Sequence, residues 1–153
     1  MKLLIRKMRL DDTKVVHEIE MDLFSDPWSE EAFVSTSYNY NSFVMIDADS
    51  KNIVGYLIGE KVLDEFMIYN LGIRKQYQGF GHGIYLTKKI IDIFIKKGCK
   101  KFVLEVRMHN IAAISMYRKL GFSDIYIRKN YYKNPPDDAI VMIMEYDKEK
   151  QEC

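Results

Sequence analysis

Gln78-Gly79-Phe80-Gly81-His82-Gly83 is the stretch on which the fold of this 153-residue chain is read. It follows Glu65–Ile73, an apolar run with strand character. It opens Gly81–Lys97, where Ile84, Ile90, Ile91 and Phe94 recur at helical spacing and Gly98 ends the helix. A strand that turns through glycines into a helix presents the unpaired N–H groups of the first helical turn and a partial positive charge. That combination seats a phosphate. Glycines let a ligand approach the backbone without meeting a Cβ. Two commoner phosphate loops are excluded. No Gly-Lys-Ser/Thr follows, so this is not a P-loop, and Ile84 stands where the dinucleotide fingerprint needs its third glycine. Taken alone, the stretch supports either a phosphate cradle or a glycine turn without a ligand.

Outward from it, elements alternate along the chain. Leu3–Met8 predicts a strand. Asp11–Phe24 predicts a helix, with Val15, Val16, Ile19 and Leu23 on one face and Asp11 or Asp12 as its cap. Ser25-Asp26-Pro27-Trp28 breaks it, and Ser29 opens a second short helix. Ser42–Asp47 and Asn52–Lys61 read as strands joined by a turn at Ala48–Lys51. After the glycine segment come a strand at Lys101–Arg107, a helix at Ile111–Leu120 stopped by Gly121, and strands at Phe122–Arg128 and Ala139–Tyr146. Asn130–Asp138, with Pro135-Pro136, reads as the loop between the last two. The order β-α-α-β-β-β-α-β-α-β-β predicts an α/β fold, a mixed sheet with helices on both faces.

Composition bounds the function. The length fits one domain, 1–153, with a polar tail from about 147. A net charge of +1 gives no footprint for general nucleic-acid binding. Cys99 and Cys153 make no disulfide framework, which points to a reducing cytoplasm. No signal peptide or membrane span is visible, and His17, His82 and His109 show no metal-ligand spacing, so no metal is expected.

Gln78-x-x-Gly81-x-Gly83 resembles the Gln/Arg-x-x-Gly-x-Gly/Ala signature of the GNAT acetyltransferase superfamily. Asn110-x-x-Ala113-x-x-x-Tyr117-x-x-x-Gly121-Phe122 resembles its second signature. The spacing between the two and the order of elements also match, from about Leu3 to Tyr146. Leu104-Glu105-Val106-Arg107, Asn110, Arg128-Lys129-Asn130-Tyr131-Tyr132 and Asp137-Asp138-Ala139 are similar to the RimI-like N-terminal acetyltransferases. Phe24–Trp28 resembles their Phe-Pro-Trp-Ser segment, with Ser25-Asp26 departing from it.

The resemblance implies a GNAT fold: a mostly antiparallel mixed sheet of about seven strands with about four helices. It implies acetyl-CoA as co-substrate, with the pyrophosphate on Gln78, Gly79, Phe80, Gly81, His82, Gly83 and Ile84. Leu71, Gly72 and Ile73 would pair with the pantetheine and the acetyl carbonyl, and Asn110 would also hold the cofactor. The acceptor implied is the α-amino group of a protein or peptide, such as a ribosomal protein or nascent chain, with the enzyme a monomer or weak dimer. An internal lysine, a small amine, or a non-catalytic acyl-CoA-binding role are the alternatives.

Acetyl transfer needs a deprotonated amine, donors for the oxyanion and a proton for the departing thiolate. By the resemblance Glu105 is the base and Tyr117 the acid. From spacing alone, Glu105 reads rather as an exposed strand residue paired to Arg107 or a lysine, a reading the resemblance reverses, and Tyr117 reads also as a core tyrosine. Asn110 is in any case a good N-cap, and Gly72 a glycine tolerated in a strand or a close approach. Asp26, Pro27, Trp28, Tyr131 and Tyr132 would wall the acceptor pocket, or else pack their loops onto the sheet. Glu65, Phe66 and Met67 occupy the stretch where some relatives carry a further base.

Overall fold

The computed structural model describes residues 1–147 and 149. Of the expected polar tail, Asp147 and Glu149 are therefore described, and Cys153 lies outside the described residues. The strands are β1 (Leu3–Lys7), β2 (Asn41–Asp47), β3 (Ile53–Val62), β4 (Glu65–Ile73), β5 (Lys101–Arg107), β6 (Ser123–Lys133) and β7 (Pro136–Glu145). The helices are α1 (Thr13–Leu23), α2 (Glu30–Asn39), α3 (His82–Lys96) and α4 (Ile111–Lys119), with 3-10 turns at Leu10–Asp12 and Lys75–Tyr77. The seven strands form one sheet in the order β1-β2-β3-β4-β5-β7-β6. β4 and β5 run parallel, while β1–β2, β2–β3, β5–β7 and β6–β7 are antiparallel. The element order, the seven strands and the four helices agree with the reading of the sequence. No helix among the described residues is long and apolar enough to cross a membrane.

Two local expectations need correction. Asp12 stands at the N-terminal cap of α1 but makes no side-chain cap bond to that helix. Its oxygens take a forked pair of hydrogen bonds from Arg6, at 2.7 and 2.9 Å, and one from the Arg9 N–H at 2.7 Å. A guanidinium fork matches a carboxylate better than a single N–H does. The expected loop at Asn130–Asp138 is mostly strand, because β6 runs on to Lys133 and β7 starts at Pro136. The ladder bonds Tyr132 to Asp137 and Lys133 to Pro136, leaving a tight turn at Asn134–Pro135. The other early elements fall within a residue or two of expectation. α2 begins where Ser29 Oγ accepts the Ala32 N–H at 3.1 Å and runs ten residues.

The chain divides into two compact units, Met1–Glu60 with Tyr69–Thr87, and Lys61–Ile68 with the chain from Lys88 onward. The first has a core of Val16, Ile19, Phe33, Val44, Tyr56 and Ile58, against which Trp28 packs. Here β3 and β4 approach closely: a Cβ on Gly55 would meet the Gly72 carbonyl oxygen at 2.7 Å. In the second, Phe66 stacks on Phe94 at 4.2 Å and on Phe102 at 6.1 Å. Along β5, Phe102, Leu104 and Val106 are buried, while Lys101, Val103, Glu105 and Arg107 are partly exposed. This two-residue alternation puts Glu105 on the accessible face.

Candidate active site

In the first unit, β4 ends at Ile73, a 3-10 turn follows, and Gln78 folds back to donate its side-chain amide to the Ile73 carbonyl at 2.8 Å. That bond fixes the base of the glycine loop. Gly79 and Gly81 have φ of +86° and +81°, and the space a Cβ would fill is open at both. α3 starts at His82, and its first backbone bond runs from the Tyr85 N–H to Gly81 at 3.0 Å. The N–H groups of His82, Gly83 and Ile84 precede that bond and have no partner within the helix. Phe80 is exposed, its ring 6.0 Å from that of His82. Positive-φ glycines, open space above them and a helix start fit a pyrophosphate. Upstream, Leu71, Gly72 and Ile73 form the end of β4. The close approach at Gly72 is to Tyr56: a Cβ there would overlap the Tyr56 hydroxyl and ring.

The same unit contains a carboxylate that the sequence reading did not single out. Glu20, on α1, is only 2% exposed. It accepts the Tyr56 hydroxyl at 2.6 Å, the Asn70 amide at 2.9 Å and the Trp28 backbone N–H at 3.0 Å. The Glu20 charge and burial together push the Tyr56 phenol far above its ordinary range, burial contributing most. The segment between α1 and α2 leaves Asp26 and Pro27 exposed. Trp28 is half-buried, its ring 5.5 Å from Phe33. The signal for Glu20 was present: it lies four residues after Val16 and beside Ile19, on the apolar stripe of α1.

The second unit brings together Glu105, Tyr117, Tyr131 and Tyr132. Glu105 is paired with Arg128 at 3.3 Å, with its side chain 28% exposed. The neighbouring Glu105 carboxylate raises the Tyr131 phenol, its interaction with that group contributing most and burial next. The Tyr132 phenol is pushed up to about 12, by burial first and then by Glu105. A regular strand would send Arg128 and Tyr131, three residues apart, to opposite faces. β6 is irregular here: from Arg128 to Tyr132 it advances four residues while β7 advances two, and Asn130 has a φ of +54°. A bulge re-aims side chains in this way, and both groups reach Glu105. Asp138 holds the bulge by accepting the Asn130 N–H at 2.8 Å.

Two further contacts fix this hairpin. Arg107 donates to the Pro135 and Asn134 carbonyls at 2.8 and 3.1 Å, its guanidinium 4.2 Å from the centre of the Tyr132 ring. His109 reaches Asp137 through its backbone N–H at 3.2 Å and its ring at 2.8 Å. Burial alone would raise the Asp137 carboxyl, but these bonds outweigh it and hold the group low. Arg107 thus grips the turn, and the cation beside Glu105 is Arg128. Asn110 caps α4 by accepting the Ala113 N–H at 3.2 Å. On α4, Tyr117 is buried with its ring 5.6 Å from Phe122. Burial, then Tyr132, lifts its phenol well above the ordinary range, so it stays protonated. A cavity of about 640 Å³ beside Ile111, Ile114 and Arg118 includes neither Glu105 nor Tyr117.

Comparison with known proteins shows the family. The model of the Acetyltransferase (GNAT) family matches residues 13–122. The ribosomal protein bS18-alanine N-acetyltransferase of Escherichia coli strain K12 is 34% identical over 92% of this chain and 95% of its own. That of Haemophilus influenzae is 34% identical over 91% and 96%. The crystal structure of the Escherichia coli ribosomal-protein-S18-alanine N-acetyltransferase superposes with a TM-score of 0.86 at 33% identity, covering 94% of each chain. Ard1 from Thermoplasma volcanium superposes at 0.88 with 21% identity, over 97% of this chain and all of that one, a likeness of fold. The chain therefore belongs to the GNAT family of acetyltransferases.

Proposed function

We propose that this enzyme transfers the acetyl group of acetyl-CoA to the α-amino group of a protein or peptide, a ribosomal protein being the first candidate. Glu105 carries the reading: an accessible carboxylate paired with Arg128 and beside Tyr131, in the unit that also holds Tyr117. Acetyl-CoA supplies an activated acyl carbon when bound. Gln78, Gly79, Phe80, Gly81, His82, Gly83 and Ile84 hold its pyrophosphate, and Leu71, Gly72, Ile73 and Asn110 the rest of the cofactor. The amine attacks directly, the new C–N bond replacing the C–S bond. Glu105 takes the proton from the attacking nitrogen, and Tyr117 gives one to the departing sulfur.

An α-amine has a pKa near 8 against about 10.4 for lysine, so a carboxylate base has less to do with the former. Asp26, Pro27, Trp28, Tyr131 and Tyr132 receive the first residues of the acceptor. The enzyme acts as a single-domain cytoplasmic monomer or weak dimer, without metal. The test is acetylation of matched peptides with free and blocked N-termini, each carrying one lysine. Turnover confined to the free N-terminus is expected. Equal rates on both peptides overturn the α-amine reading in favour of lysine.

A further inference from the structure

Glu20 is a poor choice for packing alone. A buried carboxylate is costly unless its oxygens are bonded, and a leucine would fill the same place on the apolar stripe of α1. Among the described residues it makes no ion pair. Its three donors instead come from three separate pieces of chain: Tyr56 of β3, Asn70 of β4, and the backbone of Trp28 between α1 and α2. Asn70 immediately precedes Leu71-Gly72-Ile73, and Tyr56 fills the space that Gly72 leaves.

From this we infer that Glu20 is a positioning residue for the acceptor, fixing the Asp26–Trp28 segment to the strand end that bears Leu71–Ile73. The inference rests on the acceptor role given above to Asp26, Pro27 and Trp28. The two attachments are unequal. The end of β4 is also held by the sheet, the Arg74 N–H reaching the Val54 carbonyl at 2.8 Å. The segment from Phe24 to Ser29 belongs to no helix or strand; its first residue bonds the Glu20 carbonyl through the Phe24 N–H at 3.0 Å, and beyond Asp26 and Pro27 the Trp28 N–H bond to the Glu20 side chain ties the backbone back to α1. Loss of the acceptor oxygens therefore frees the segment far more than the strand. It acts on acceptor binding and spares acetyl-CoA.

Glu20→Met keeps the volume and removes the acceptors. Glu20→Gln keeps one oxygen for the Trp28 N–H, because the Tyr56 hydroxyl and a turned Asn70 amide can accept from its nitrogen. For Glu20→Met, KM for the acceptor peptide is expected to rise about tenfold, the effect of one lost hydrogen bond to a charged group. Acetyl-CoA affinity by calorimetry should stay within about twofold, and Glu20→Gln should recover most of the peptide KM. A peptide KM unchanged in Glu20→Met, or a parallel loss of acetyl-CoA affinity, overturns the inference. Should Glu20→Met not fold, hydrogen exchange of the wild-type protein decides: a Trp28 amide exchanging as fast as that of the exposed Asp26 overturns it, and a protected one supports it. If blocked peptides prove equally good acceptors, the same KM comparison is made with the amine the wild type accepts. The α-amine reading then fails separately from this one.

Discussion

Glu20 and Glu105 are both carboxylates with tyrosine neighbours, and they are finished differently. Glu20 is sealed, with three neutral donors supplied by its own unit. Glu105 is partly exposed, and its partners are a cation and phenols on a bulged strand. A carboxylate with every donor supplied internally holds structure in place. One with an open side and an exchangeable cation can receive a charged group from outside. On the proposed reading, similar chemistry serves positioning in one unit and reaction in the other.

Glu105→Gln should separate the two most sharply. It removes the base and keeps the shape, so kcat should fall about 10²- to 10⁴-fold while calorimetry shows acetyl-CoA still bound. Wild-type turnover across the pH range would take the base role from Glu105. Tyr117→Phe should cost less, about 10²-fold in kcat, because the sulfur can draw a proton from water when the phenol is gone. An unchanged kcat would return Tyr117 to a packing role.

The glycines divide along the same line. Gly72→Ala drives a methyl group into Tyr56, which is fully buried and has nowhere to move. Overpacking of this kind costs about 1–3 kcal/mol, seen as a lower unfolding midpoint. Gly79→Ala meets no atom within 4 Å and carries only the strain of φ +86°, about 1–2 kcal/mol. Its larger effect should be weaker acetyl-CoA binding, because the methyl group stands where the ligand approaches. Equal losses of stability with unchanged affinity would make Gly79 a mere turn residue.

Much of this was legible in the sequence because periodicity and spacing are local. The glycine loop, the α4 cap at Asn110, the alternation that exposes Glu105 and the element order can all be read within short windows. What escaped depends on pairing between distant residues. Glu20 meets Tyr56 and Asn70, 36 and 50 residues away, and nothing near Glu20 announces either partner. The cation that spacing offered Glu105 was Arg107, its neighbour on the same face of β5, or a lysine. The actual one, Arg128, lies two strands over and reaches it where β6 is irregular. The hairpin was misread as a loop because Pro135-Pro136 signals a break, whereas in the fold it marks a turn with strand on both sides.

The smallest effect concerns alkaline pH, and it tests whether Tyr132 belongs to the Glu105 cluster. Burial and the Glu105 charge lift its phenol from about 10 to about 12. The folded state therefore keeps a proton that the unfolded chain releases above pH 10. Stability falls with pH wherever the folded state holds more protons. The contribution is complete below pH 10, declines between 10 and 12, and is gone above. Tyr132→Phe has no phenol to titrate, so its urea-unfolding curve should lose less stability than wild type between pH 9 and pH 11. Tyr69, also lifted to about 12 but in the other unit beside Glu60, titrates in both proteins and cancels from the difference. A Glu105→Gln background should shrink the Tyr132 effect without abolishing it, since burial is the larger cause. Identical pH slopes for wild type and Tyr132→Phe would detach Tyr132 from Glu105.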